Sequence, residues 1–338
     1  MSPYRTKDAA ESPDAVLPEP VPRGVATTDH NRGFFAGLDN TIQAVDLETG
    51  QLAWTVDIPG QPILAAEGKV MVVTQSPSRN LSLLVLDENS GEELSRCELP
   101  LALNADTSSI DEQFEIRPSM AEDRLHVQWK MHTPYKGGAP PPQYVKQSAD
   151  EILSGAFDCE LHSGEIIPTL AAAAVDRPRR QSWPYRLNGV WQKTSWISNQ
   201  EENVLELRRT DASRDLLLTS FSATDGSNVR STVLASTDAV EPTLTPDGKF
   251  LFVRQTVPAD EHWTVWQVAD HTPVGKLKYQ PGAEFPTVLD DTVYFLTQSS
   301  GPSYRMHAVR LPDGDELWNL ELDAGPAQKV APPPPRMP

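Results

Sequence analysis

The chain has 338 residues and a formal net charge of −18, with 31 prolines, 19 glycines and two cysteines. A surface this acidic repels phosphate backbones, which excludes general nucleic-acid binding and is expected to keep a monomer dispersed in solution. The longest apolar stretch, Thr169 to Val175, is far too short to cross a bilayer.

In chain order, residues 1–21 carry Asp8, Glu11, Asp14 and Glu19 among Pro13, Pro18 and Pro20, a composition that predicts a disordered leader. It has no apolar signal core, so a cytoplasmic location is expected. Cys97 and Cys159, far apart in the chain, are then expected to be reduced core thiols.

From residue 22 onward two patterns alternate. One is proline-led: Pro22, Pro62, Pro118, Pro184, Pro242 and Pro286 each open a hairpin-like stretch. Proline is expected there as the first residue of a strand, where no ladder hydrogen bond is lost. The other is a strand, a tight acidic Gly turn and a second strand. Its first copy is Ala44-Val45-Asp46-Leu47-Glu48-Thr49-Gly50, ending at Trp54, four residues past the glycine. Val85 to Leu94 keeps the Asp and the Gly91 turn but has Ser95 in place of the Trp. Asp158 to Gly164 keeps an acid and the turn, Thr224-Asp225-Gly226 keeps the turn, and Val265 to Thr272 keeps the strand without the glycine. Ala308 to Trp318, with Gly314 at its turn, repeats the first copy in full spacing.

Glycine turns between apolar alternations are hairpin signals, and a unit that cannot bury its own apolar face must stack on neighbours. Six pairs of hairpins predict an all-β fold, a single β-propeller of four-stranded antiparallel blades over residues 22–324. Six blades are expected, with seven as the alternative should Val190 to Ser222 hide another unit. Residues 325–338, rich in proline, read as an extended tail.

The phrase Ala-x-Asp-x-x-Thr-Gly-x-x-x-Trp at Ala44 to Trp54 resembles the docking motif of the PQQ-like propeller repeat, the repeat of quinone-dependent enzymes. Thr245-Pro246-Asp247-Gly248-Lys249 also looks like a turn of other propeller families. The resemblance implies that Ala44, Asp46, Thr49, Gly50, Trp54, Ala308, Gly314 and Trp318 fasten blades together and touch no ligand. It also opens an alternative function, a quinone- or sugar-type oxidoreductase with its site at a channel mouth. Quinone enzymes of that kind use a catalytic Asp, calcium ligands and often a Cys-Cys pair. This chain has no Cys-Cys pair, and no calcium constellation can be placed in it.

Other chemistry is also hard to place. There is no Gly-x-Ser-x-Gly elbow, and the Gly-Lys pairs at Gly68, Gly248 and Gly275 are never followed by Ser or Thr. His126 and His132 share a strand face but would lie ~20 Å apart, too far to chelate one metal. No catalytic residue, metal or cofactor is therefore expected.

The intervals between turn glycines hold the functional clue. Gly50 to Gly91 is an ordinary repeat, whereas Gly91 to Gly164 and Gly164 to Gly226 are much longer. The surplus falls in insertions at about 131–150 and 199–215, with a long connection at 176–182. Strand parity predicts that all three emerge on one face, most simply as two B–C loops and one D–A loop, with Val204-Leu205-Glu206-Leu207 as a further strand the alternative for the second insertion. Tyr135 and Tyr144 lie in the first insertion; Arg177, Arg179, Arg180 and Arg186 follow, interleaved with Trp183, Tyr185 and Trp196. Arginine with aromatic residues is the composition of interface hot spots. A non-catalytic scaffold binding a protein or peptide partner through the loop-rich face of blades three and four is the primary expectation. An anionic small molecule held by guanidinium forks is a weaker alternative.

Overall fold

The computed structural model describes residues 15–322 except 38–39, 103–109, 111–113, 122–123, 132–153, 162–165, 170–185, 188–189, 192–193, 198–202, 210–214, 223–226, 236–239, 246–247, 256–260, 281, 299–302 and 312. The chain forms two compact units, whose main parts are Arg23–Val175 and Asp176–Glu321. Both are built of antiparallel sheet. Among the described residues, no helix is long and apolar enough to cross a membrane.

The first unit contains three runs of four strands, each paired with its sequence neighbour. They are Gly24–Ala26, Arg32–Ala36, Ile42–Asp46 and Leu52–Val56; then Gly60–Ala66, Lys69–Gln75, Asn80–Asp87 and Glu93–Ala102; then Phe114–Ala121, Arg124–Met131, Ser154–Glu160 and Ile166–Thr169. The second unit contains three more. They are Thr194–Ile197, Asn203–Arg209, Leu216–Ser222 and Arg230–Ala235; Val240–Leu244, Phe250–Gln255, His262–Gln267 and Thr272–Lys278; and Ala283–Leu289, Thr292–Gln298, Tyr304–Arg310 and Glu316–Leu322. A two-stranded ribbon, Arg186–Leu187 with Val190–Trp191, precedes them. These meanders are numbered here as sheets one to six.

Period-two alternation explains the stacking. Val25, Phe34, Ile42 and Ala44 of sheet one share an apolar cluster with Ala65, Val70, Val72, Leu84 and Leu86 of sheet two. The opposite face of sheet two, with Met71, Val73, Leu83 and Cys97, packs on Leu125, Val127, Phe157 and Cys159 of sheet three. In the second unit Leu207 and Leu218 of sheet four meet Leu251 and Val253 of sheet five. Phe252, Trp263 and Val265 then meet Phe295 and Val309 of sheet six. Sheets two and five are thus each buried on both faces by the sheets before and after them, as stacking requires in a repeat fold.

Three sequence expectations are corrected. The prolines do not open strands: Pro62, Pro118, Pro242 and Pro286 sit inside the first strand of their sheets. Those strands are end members of the pairing order, with no sheet neighbour on one side, so a missing N–H costs no ladder bond. At Pro62 and Pro286 the register also shifts, as at a bulge. Second, the disordered leader does not extend to residue 21. Val16 exchanges backbone hydrogen bonds with Met120 on that free edge of sheet three, at 2.8 and 2.9 Å, and Glu19–Val21 is a strand. The apolar Val16 packs on the core below it. Third, residues 199–215 are not one B–C loop. Asn203–Arg209 is the second strand of sheet four, paired with Thr194–Ile197 and Leu216–Ser222; part of the surplus length upstream is the ribbon at 186–191.

Candidate functional site

The predicted binding residues divide by what the structure describes. Tyr135, Tyr144, Arg177, Arg179, Arg180, Trp183 and Tyr185 lie outside the described residues, as do the segments 132–150 and 176–182. Arg186 lies in the ribbon opposite Trp191. Trp196 lies in the first strand of sheet four opposite Leu205. Arg124–Met131 pairs directly with Ser154–Glu160, on either side of residues 132–153.

The blade-docking residues are described in detail. In the first repeat the Asp46 carboxylate accepts from the Thr49 backbone N–H and hydroxyl, both at 2.8 Å. Gly50, at φ 70°, donates to the Asp46 carbonyl. That positive φ is strained for most residues and free for glycine. The second repeat copies the device, with Ser90 in the place of Thr49 and Gly91 at φ 73°. Hydrogen bonds from Thr49 and Ser90 hold Asp46 and Asp87 below the usual carboxylate range.

Trp54 spans the joint to the next sheet. Its ring leans on Phe34 at 5.7 Å between centroids, and its Nε1–H donates to the Glu88 carbonyl at 2.9 Å. The ring lies flat enough on the next turn that a Cβ on Gly91 would come within 2.9 Å of it. Arg32 joins the same point, donating to the Glu88 carbonyl at 2.9 Å and to Asn89 Oδ1 at 3.1 Å. Burial pushes the Glu88 carboxyl up, against the pull of Arg32.

Sheets two and three use the same joint with smaller parts. Ser95, at the Trp54 position, donates its hydroxyl to the Leu161 carbonyl at 3.2 Å. Leu161 stands three residues before Gly164, as Glu88 stands three before Gly91. Beside it Cys97 Sγ and Cys159 Sγ lie 3.4 Å apart, both buried and both free. In sheet three, His126 Nδ1 is 2.6 Å from Asp158 Oδ1, and the Gln128 amide is 3.4 Å from His126 Nε2.

In the second unit His271 stands where Gly50 stands in the first repeat, at φ 55° and buried. Its Nδ1 is 3.2 Å from Thr232 Oγ1 on sheet four, and its Nε2 has no hydrogen-bond partner. Burial, then the Arg230 charge, hold its pKa below the ordinary value. In sheet six Trp318 is buried against Tyr294 at 5.8 Å. There His307 lies between Thr297 Oγ1 at 2.9 Å and Glu316 Oε1 at 3.0 Å, stacked on Phe295.

Chemically, these histidines are committed to sheet neighbours: His126 and His307 each engage both ring nitrogens within their own sheet. Among the described residues no group of three His, Cys, Asp or Glu is placed to hold a metal ion. Arg32 and the meeting of the two thiols were missed by sequence reasoning. Ser95 was aligned with Trp54 by the spacing of the Gly turns, but its hydrogen bond to the next sheet was not foreseen.

Four-stranded antiparallel meanders with such joints are the repeats of the all-β propeller class, and those within residues 16–132 resemble PQQ-like repeats. Residues 16–132 match the family described as outer membrane protein assembly factor BamB. No curated protein matches the chain. Among solved structures, BamB from Moraxella catarrhalis is 15% identical with a TM-score of 0.24, over 88% of this chain and 73% of that one. Hsv2 from Kluyveromyces lactis is 10% identical with a TM-score of 0.38, over 91% and 100%. The quinohemoprotein alcohol dehydrogenase from Comamonas testosteroni is 9% identical with a TM-score of 0.25, over 86% and 58%.

Proposed function

We propose that the protein is a non-catalytic scaffold that binds a protein or peptide partner through segments of the third and fourth repeats. The observation that carries this reading is the match of residues 16–132 to the family described as outer membrane protein assembly factor BamB, a name that refers to the assembly of proteins. The sequence adds a composition suited to partner contact: Arg177, Arg179, Arg180 and Arg186 interleaved with Trp183, Tyr185 and Trp196 in an otherwise acidic chain. Long connections on a stiff scaffold are where recognition is concentrated, and the packed joints of sheets one to three supply that stiffness.

The test is affinity capture after in-cell cross-linking, with the parent chain, a chain lacking residues 131–150, and an Arg177→Glu, Arg179→Glu, Arg180→Glu chain. One partner should be captured by the parent and lost from both altered chains, and the melting midpoint of the charge-reversed chain should match the parent within about 1 °C, as changes away from packed features usually do. Equal capture by all three chains would overturn the assigned surface. Quinone-dependent dehydrogenase activity in purified protein, with no partner captured, would replace the scaffold by the oxidoreductase.

A further inference from the structure

We propose that Cys97 and Cys159 are a peroxide-responsive pair that closes into a disulfide joining the second and third sheets. The two sulfurs are already 3.4 Å apart across the joint, and a bond of about 2.05 Å needs only a small approach of two side chains. They face each other because the repeat places them there. Val56 and Leu86 share the apolar cluster of the first joint, and their counterparts one repeat later are Cys97 and Cys159. A contact that is hydrocarbon in one joint is thiol against thiol in the next.

The two sulfurs are not equivalent. Cys97 is 8% exposed and Cys159 is 1% exposed, so a small oxidant reaches Cys97 first. The hydrogen bond from Cys159 favours the Cys97 thiolate, against the effect of burial. That same hydrogen bond and burial hold Cys159 as a thiol. The thiolate is the nucleophile in thiol chemistry. The Cys97 thiolate attacks one oxygen of hydrogen peroxide, the O–O bond breaks, and the departing hydroxide takes up a proton as water. Cys97 is then a sulfenic acid. The Cys159 sulfur attacks the Cys97 sulfur, the S–O bond breaks, and the Cys159 proton leaves with the oxygen as a second water. Two thiols are oxidised to one disulfide and one peroxide is reduced to two waters.

The bond would close a loop between positions 62 apart in sequence, one that contains the whole 131–150 insertion. Closing a loop of that size restricts the unfolded chain, so the oxidised protein should melt at a higher temperature. The pair therefore links the redox state of the surroundings to the rigidity of the frame on either side of that insertion.

The experiment uses the full chain, with hydrogen peroxide as oxidant, followed by unfolding and maleimide labelling. Neither cysteine should be labelled, and the intact mass should fall by two hydrogens. A proteolytic map should contain a Cys97–Cys159 linked peptide, the melting midpoint should rise, and dithiothreitol should restore both labels. Cys159→Ala should leave Cys97 unable to form the linked peptide while the parent forms it; if that variant fails to fold, the linked peptide of the parent decides. Two labelled thiols after peroxide, oxygen added at Cys97 without a link, a link between two chains, or a lowered midpoint would each overturn the proposal.

Discussion

The joint between sheets one and two and the joint between sheets two and three are built to one plan from different parts. In the first, a tryptophan ring covers a glycine turn and donates to a main-chain carbonyl. In the second, a serine hydroxyl donates to the corresponding carbonyl, and the space beside it holds two thiols. The plan is a hydrogen bond at a fixed place in the stack. The filling differs, so the two joints should differ in how much stability each holds.

The comparison can be broken at its strongest point by Trp54→Ala. Loss of a large, half-buried ring with a satisfied N–H should cost about 3 kcal/mol, read as a lower urea midpoint with an unchanged slope. A midpoint equal to the parent would show that the ring does not fasten the joint. Ser95→Ala sharpens the comparison from the other side. Removing one partly buried hydrogen bond should cost about 1 kcal/mol, and a loss as large as that of Trp54→Ala would mean the two joints are not filled as described.

A third variant of the plan has the smallest expected effect. His271 occupies a glycine position between sheets four and five, and its pKa lies below the ordinary 6.5. The unfolded chain then binds a proton more readily than the folded one, so stability is full above pH 6.5 and declines as pH falls from there toward the folded pKa. Melting midpoints measured between about pH 7.5 and 5.5 should fall more for the parent than for His271→Asn, whose side chain tolerates the left-handed backbone. Parallel slopes for the two proteins would remove His271 from the account.

Much of the architecture was legible because turn chemistry is local. Asp46 with Gly50, Asp87 with Gly91 and the turn at Gly314 announce their hairpins without help from the rest of the chain. The proline positions were misread by a few residues, since a sheet edge accepts proline wherever the N–H would face away from the partner strand, and sequence does not show which strand is an edge. Asn203–Arg209 was legible only as the alternative at 204–207, because its length counted as surplus before the ribbon at 186–191 was known. The thiol pair was invisible for a different reason: cysteines 62 positions apart meet only through the stacking of two sheets. The arginine and aromatic segment was read from composition alone, and composition carries no distances.

The acceptors at the joints, the carbonyls of Glu88 and Leu161, belong to the main chain. A carbonyl is offered by an acidic residue and by a leucine alike, so the receiving side of each joint places no demand on the side chain that stands there. Spelling can drift at such a position while the spacing of the stack is kept. This accounts for repeats that have lost most of their shared letters and still dock, and it leaves those side chains free to take on other duties, one repeat at a time.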